Sequence, residues 1–462
     1  MKFSRFALAA LTLTLCATAA SPARAQVPID LPHALARADS LAYANRIARG
    51  SADARHAQAI APLSGILPAL AIDGGYTQTT DPIGAFGTTL RQRAATPAAF
   101  DPHALNYPAP ARDYAGGVEL RQPLFNADAW VGRRAAALAA QSADAGAQWT
   151  RYSVRADVVR AYYGAAVADA QVTALDSAAA AAHAHVRAAA SMERNGLVTR
   201  SDMLLASVRA NELDAQLAAA TGDARMARRR LATLIAVPGG TVEPEAQMPS
   251  AAELRVESTP DTATAAAAGR ADLRAATLGA RAAGVEVNRA RAAYLPRLNA
   301  IGRYDWHSLS RPYGGLPSWT AGVMLSWSPF AGGAQLSDTR RAQAQRATAD
   351  AAADAASAQA QLDEAQTRTD LVVALQQMTL AELSAAQAVE AHRIVTRKYE
   401  GGLATIVELL DAAAAEARTA VELSAARYAV ITADAARRQA LGRDPGSLAD
   451  LDRPHAAPSP TR

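Results

Sequence analysis

The sequence predicts an α+β membrane protein made of a duplicated helix-strand-strand-long helix-helix unit. Three observations carry this prediction. Ordered motifs recur between the two halves of the chain, four segments show period-2 hydrophobicity, and two proline-free stretches run over residues 127 to about 195 and 332 to about 400. The composition agrees. Half of the 462 residues are hydrophobic, yet aromatics make up 5% and charged residues 19%, because alanine supplies most of the apolar half. Alanine has the highest helix propensity and buries little surface, so long helices approaching along small-residue seams are expected rather than a thick enzyme-like core. Collagen-like, disulfide-dense and disordered classes are excluded.

The N-terminus reads as a secretory signal peptide over residues 1–25. Lys2 and Arg5 precede an apolar run from Phe6 to Ala19, and Ala23-Arg24-Ala25 forms a small-x-small cleavage pattern before Gln26. Cys16, the only cysteine, lies inside that run after the bulky Leu15, which favours soluble-type cleavage over a lipid anchor. Of the 47 basic side chains, Lys2, Arg5 and Arg24 leave with the leader, which brings the basic total close to the 43 acidic ones. Net charge therefore gives no argument for nucleic-acid binding. Beyond the leader, no uninterrupted apolar run is long enough for a helical membrane span.

Three ordered matches establish the duplication. Leu67-Pro68-Ala69-Leu70 with Gly74 and Tyr76 recurs as Leu295-Pro296-Arg297-Leu298 with Gly302 and Tyr304. Gly117-Val118-x-Leu120 before Phe125 recurs as Gly322-Val323-x-Leu325 before Phe330, and Gly196-Leu197-Val198-Thr199 recurs as Gly402-Leu403-Ala404-Thr405. The first repeat spans 26–237 and the second 263–442; residues 238–262 read as a connection around the outside, and the proline-rich tail 443–462 reads as disordered.

Within the first repeat a helix is expected near residues 31 to 62, then strands at about 66–79 and 113–125. Leu70, Ile72, Gly74 and Tyr76 share one face of the first strand; Tyr114, Val118 and Leu120 lie opposite Glu119 and Arg121 on the second. The second repeat has strands at about 295–308 and 318–330. Tyr304 and Trp306 alternate there with Arg303, Asp305 and His307, while Trp319 and Trp327 bracket the last strand. Alternation alone also suits an ordinary half-exposed hairpin. The terminal aromatics favour a membrane girdle of Tyr76, Tyr304, Trp306, Trp319 and Trp327. Four strands cannot close a barrel and an open edge is not tolerated in lipid, so several chains would have to pool their strands around one lumen.

Each long helix would extend roughly 100 Å. After Gly401-Gly402 a seam of small and apolar residues runs from Ile406 through Leu410, Ala413, Ala417, Ala420, Ser424 and Tyr428 to Ala435 in steps of three or four. A soluble coiled-coil stalk would explain these helices but would leave the tryptophan-bearing hairpins without a role.

This duplicated plan, together with Tyr399-Glu400-Gly401-Gly402-Leu403-Ala404-Thr405-Ile406-Val407-Glu408-Leu409-Leu410-Asp411-Ala412 and Asn195-Gly196-Leu197-Val198-Thr199-Arg200-Ser201-Asp202, resembles the TolC family of outer-membrane efflux proteins, from about residue 30 to Gly442. The resemblance implies a homotrimer in the cell outer membrane. Its three four-stranded contributions would make a twelve-stranded β-barrel continuing into a periplasmic α-helical barrel. It also implies that a periplasmic adaptor protein and an inner-membrane pump dock with the duct to export small toxic compounds, or proteins in some members.

By the same resemblance, Glu408 and Asp411 match a gate of acidic residues at the narrow periplasmic end, and Asp202 and Tyr399 match positions that brace it. Ala404 departs from the family, many members of which carry an arginine there. Taken alone, Glu408 and Asp411 are an ordinary acidic first helical turn. Gly196, Leu197, Val198, Gly402, Leu403 and Thr405 form turns that have a plain explanation as helix reversals; the resemblance adds that they receive the adaptor's hairpin tips.

No phosphate loop, nucleophile elbow or zinc motif occurs, and His183 and His185 are two apart and so diverge on a helix. The expectation is a channel without catalytic residues or cofactors. A type I protein-secretion duct shares every one of these features. A periplasmic coiled-coil scaffold is the reading from a different class, and a lipoyl-like all-β segment that would mark an adaptor is not found.

Overall fold

The computed structural model describes residues 27–450 apart from 197, 238–239, 241, 246–247, 258–268 and 313. The signal peptide and Cys16 lie outside the described residues, as do parts of the connection, Leu197 and the tail from residue 451. Strand β1 (Val27–Ile29) leads into helices α1 (Leu31–Leu41) and α2 (Tyr43–Ile60). The single helix expected over 31–62 is thus broken. Ala42 takes an extended ψ of 134°, and the buried Asn45 amide donates to the carbonyl of Ala38 at 2.9 Å, which supports the interruption.

Four strands form one antiparallel sheet in the order β2 (Ala69–Thr79), β3 (Ala111–Phe125), β5 (Arg297–Ser308), β6 (Leu316–Ser326), where β3 and β5 join the two repeats. The register sets Ile72 beside Val118, Val118 beside Tyr304, and Tyr304 beside Trp319. Period-2 geometry therefore gathers the apolar and aromatic residues on one face. The other face carries an ionic cluster. Arg303 reaches Asp73 at 2.9 Å, Glu119 at 3.1 Å and Asp305 at 2.6 Å, one residue from each of three strands. Strand β6 stops at Ser326, short of the expected 330, so Trp327 lies just beyond it and donates its indole N–H to Tyr294 O at 3.0 Å. Between β2 and β3 the chain builds α3 (Pro82–Arg91) and the short α4 (Pro102–Asn106), each capped by an aspartate, Asp81 and Asp101.

Helices α5 (Ala127–Arg194) and α9 (Ala334–Glu400) contain 68 and 67 residues; α6 (Arg200–Leu234) and α10 (Ile406–Ala440) return alongside them. Their contacts are largely alanine on alanine. Ala135, Ala140, Ala145, Ala182 and Ala189 are buried along α5, as are Ala206, Ala210, Ala220 and Ala224 along α6. Methyl-sized side chains let the backbones approach closely, but each burial contributes little.

Larger apolar residues are concentrated in one waist. There Leu31, Val158, Val159, Tyr162, Tyr163, Leu231, Ile235, Leu254, Leu371, Met378, Val430 and Ile431 pack together from α1, α5, α6, α7 (Ala251–Glu257), α9 and α10. Beside it β1 pairs in parallel with β4 (Val242–Pro244) of the inter-repeat connection.

Arg270, 2% exposed, precedes α8 (Ala271–Ala292) and links helix α5 of the first repeat to α9 and α10 of the second. Its guanidinium donates to Asp272 at 2.8 Å and Asp363 at 3.0 Å, approaches the carbonyls of Ala360 and Ala440, and lies 4.9 Å from the Trp149 ring centroid.

Residues 443–450, the start of the tail read as disordered, lie against the waist. Gly442, with φ +69°, reverses the chain after α10, Asp444 pairs with Arg155, and residues Pro445–Asp450 form a 3-10 turn with Gly446 against Leu35. A charge pair and an apolar contact at the waist hold a segment whose prolines read as loose.

Candidate functional site

The two helix reversals are built alike. Gly196 and Gly402 have φ of +73° and +72°, and open space surrounds the position a Cβ would take at either, so the backbone rather than crowding calls for glycine. Gly402 N–H donates to Tyr399 O at 3.0 Å and Leu403 N–H to Lys398 O at 2.8 Å, closing the end of α9. The following helix then starts on a reciprocal cap. Thr199 and Asp202 open α6; Thr405 and Glu408 open α10. Asp202 accepts from Thr199 N–H at 3.1 Å, and Glu408 accepts from Thr405 N–H at 2.7 Å. Both acidic residues therefore already have a structural task. Thr405→Ala should cost about 1 kcal/mol of helix-start stability, and hydrogen exchange of the first-turn amides of α10 should rise accordingly while the waist amides stay unchanged.

Asp411, one turn further along α10, faces Arg209 of α6 at 3.5 Å, and Arg209 also pairs with Glu212 at 2.8 Å. The hydrogen bond to Glu212, and then the nearby charge of Asp411, raise the Arg209 guanidinium above its ordinary value. Sequence reasoning missed Arg209. Its i, i+3 partner Glu212 was readable, but its reach to α10 depends on helix placement.

Tyr399 points its hydroxyl at Met192 Sδ, 3.5 Å away on α5, and packs against a small core of Ala206, Ile406, Leu409 and Leu410. Leu403, 82% exposed, stands at the tip; Val198 is half-buried, and Leu197 lies outside the described residues. Gly196, Gly402 and Thr405 thus shape the turns, and Leu403 is the apolar group they present.

Behind the tips a groove of about 730 Å³ runs between α5, α6 and α10, lined by His185, Arg209, Glu212, Asp411, Arg418 and Glu422. Burial, and then the neighbouring His392, push the His185 ring below the usual histidine value. His183 pairs with Asp214 at 3.0 Å, so the two histidines do diverge. Among the described residues no group of three potential ligands is placed to hold a metal ion.

At the sheet end, Tyr76 and Tyr304 are each 49% exposed on the apolar face, and Trp319 and Trp327 project further. Tyr76 stacks on Tyr114 at 4.9 Å between centroids. Trp306 differs from the other four. Its ring lies flat over Gly116 of β3, so that a Cβ there would sit 2.4 Å from the indole, and it fills the sheet face rather than extending from it. Among the described residues no helix is long and apolar enough to cross a membrane.

A sheet with one apolar face and one ionic face is joined to helix hairpins that end in capped glycine turns, an arrangement suited to an outer-membrane channel. Residues 32–237 and 263–443 match the family described as outer membrane efflux protein, and the chain belongs to that family. Among solved structures it is similar to the CmeC outer membrane channel of Campylobacter jejuni, with a TM-score of 0.73 at 16% identity over 89% of this chain and 85% of that one. It is also similar to the outer membrane protein VceC of Vibrio cholerae, with a TM-score of 0.70 at 19% identity over 89% of this chain and 96% of that one. The open state of the Neisseria gonorrhoeae MtrE outer membrane channel gives a TM-score of 0.69 at 18% identity over 90% and 89%. No curated protein sequence matches. Membership makes the chain an outer-membrane efflux duct of the TolC-like type.

Proposed function

We propose that three copies of this chain assemble a twelve-stranded barrel in the outer membrane and a helical tunnel in the periplasm. The tunnel meets a periplasmic adaptor and, through it, an inner-membrane pump, and passively conducts small toxic compounds to the exterior. One observation carries the reading. The four-stranded sheet ends at β2 and β6 with free hydrogen-bonding edges and presents an apolar face, a combination that lipid tolerates only if neighbouring chains pair with both edges. Protein extracted in mild detergent should therefore have the mass of a trimer. A monomer whose strands are nevertheless protected from labelling would overturn the assembly.

In this arrangement the turns at Gly196-Leu197-Val198 and Gly402-Leu403-Ala404-Thr405 receive the adaptor, with Leu403 as the apolar anchor. Glu408, Asp411, Asp202 and Tyr399 surround the periplasmic opening. Tyr76, Tyr304, Trp306, Trp319 and Trp327 belong to the belt in contact with lipid.

The connections 80–110 and 309–315 would then face the outside of the cell. Pro312 is exposed in the shorter one. In the longer one Thr89 is half-buried, with its hydroxyl donating to Ala85 O at 2.9 Å, whereas Tyr107 is 76% exposed. Cysteines at Pro312 and Tyr107 should react with an impermeant thiol reagent on intact cells. Silence at both positions in folded protein would contradict the orientation.

A further inference from the structure

The connection between β2 and β3 does not stand away from the sheet. Helix α3 and the two residues after it reach β2, β3 and β6 at their outer ends, on the face that carries the ions. A Cβ at Gly84 would meet Thr79 Cγ2 of β2 at 3.3 Å. The Gln92 amide donates to Asp113 of β3 at 3.0 Å, and Asp113, 4% exposed, is also bonded at 2.7 Å to the His307 ring of β5. Arg93, held at φ +52°, donates to the carbonyl of Pro317 on β6 at 3.2 Å. The edge-to-face pair Phe86 and Phe100, 5.5 Å between centroids, stiffens the connection behind the helix.

At about 100° per residue, Ala85, Thr88 and Gln92 fall within one narrow arc of α3. Ala85 and Thr88 are buried there against the sheet. Ile83 and Leu90 lie on the opposite side of the helix, 84% and 46% exposed, flanked by Phe86 and Gly87. An apolar ridge is thus held over the polar face and aimed away from it. Were the polar face turned to lipid, Arg303 and its three carboxylates would be in hydrocarbon; turned to the lumen, it aims the ridge at the central axis.

We infer that Ile83 and Leu90 of the three chains face one another across the outer mouth and form an apolar collar, a second constriction that hinders polar solutes entering from outside. The inference rests on the trimeric reading above. Its occupant is the same ridge of the two neighbouring copies, which the shared barrel brings around one axis. Narrow apolar rings impede ions and polar solutes by losing their water, without any charged group. The bonds of Gln92 and Arg93 hold the ridge in place.

The test uses the trimer in intact cells. The mature chain contains no other cysteine, so Thr320→Cys, on the polar face of β6 below α3, is a single reporter for an impermeant polyethylene-glycol maleimide. In the background Ile83→Ser with Leu90→Ser, whose side chains are exposed and whose loss should not affect folding, labelling should accelerate about fivefold or more. Gln92→Ala with Arg93→Ala should act in the same direction by loosening the anchor. Cysteines at Ile83 should be joined between subunits by a short bifunctional thiol reagent. Equal labelling rates in both backgrounds, in protein shown to be trimeric, would overturn the collar and leave the duct standing. A Thr320→Cys reporter that reacts only after the membrane is dissolved, in every background, would show that the polar face does not line a lumen and would overturn the barrel reading with it.

Discussion

Replacing Arg270 with alanine should destabilise the protein by about 3–5 kcal/mol, because it removes one partner from a buried, hydrogen-bonded charge cluster. Asp272 and Asp363 would lose their common cation, and the carbonyl of Ala440, at the end of α10, would lose a donor. The aromatic face of Trp149 would lose its cation as well. Arg270→Met keeps much of the volume and leaves a smaller cavity than alanine does, so it should cost clearly less. Urea unfolding followed by far-ultraviolet circular dichroism measures both variants. Equal and small losses would mean that the waist does not depend on this cluster.

The second large effect is electrical. In planar bilayers the trimer should prefer cations, and the pair Glu408→Gln and Asp411→Asn should lower the cation-to-anion permeability ratio about twofold or more, since carboxylates at a narrow opening act on every passing ion. The local geometry refines this expectation. Gln at position 408 can still accept from Thr405 N–H, so α10 keeps its start. Asp411 is offset by Arg209, so Arg209→Gln should move selectivity the other way, toward stronger cation preference. Unchanged selectivity in both variants would remove these side chains from the conduction path.

Much of this architecture could be read from residue order. Strand periodicity put Tyr304 with Trp306 and Trp319 with Val323 on one face of their own strands because alternation is a local property, and the recurrent Gly-Leu turns marked the helix reversals because positive φ has a strong residue preference. The Thr405 to Glu408 spacing also had a local meaning, as a cap, beside the meaning the family resemblance suggested. What could not be read depends on distance along the chain. Trp306 covers Gly116 only through the register of β3 with β5. Arg270 meets residues 149, 363 and 440 only once three helices have converged, and Asp444 is fixed by Arg155 of a different repeat. The ridge of α3 has no sequence signature of its own, because its meaning comes from which face of the sheet it lies on.

The contrast between a waist of bulky side chains and alanine-lined rods has a mechanical consequence. From Tyr162 in the waist to Arg194 at the tip, α5 is a lever of about 50 Å. A tilt of about 5° at the fulcrum carries the far end through about 4 Å, more than the reach of any hydrogen bond. Alanine surfaces have shallow ridges that interlock weakly, so neighbouring rods can slide past one another without side chains having to change rotamer. The ends of such levers are fastened across α6 and α10 by a small apolar core, Ala206 with Ile406, Leu409 and Leu410, and by the solvent-screened ion pair of Arg209 with Asp411. Small torques applied near the turns are thereby converted into wide displacements while the fulcrum stays fixed.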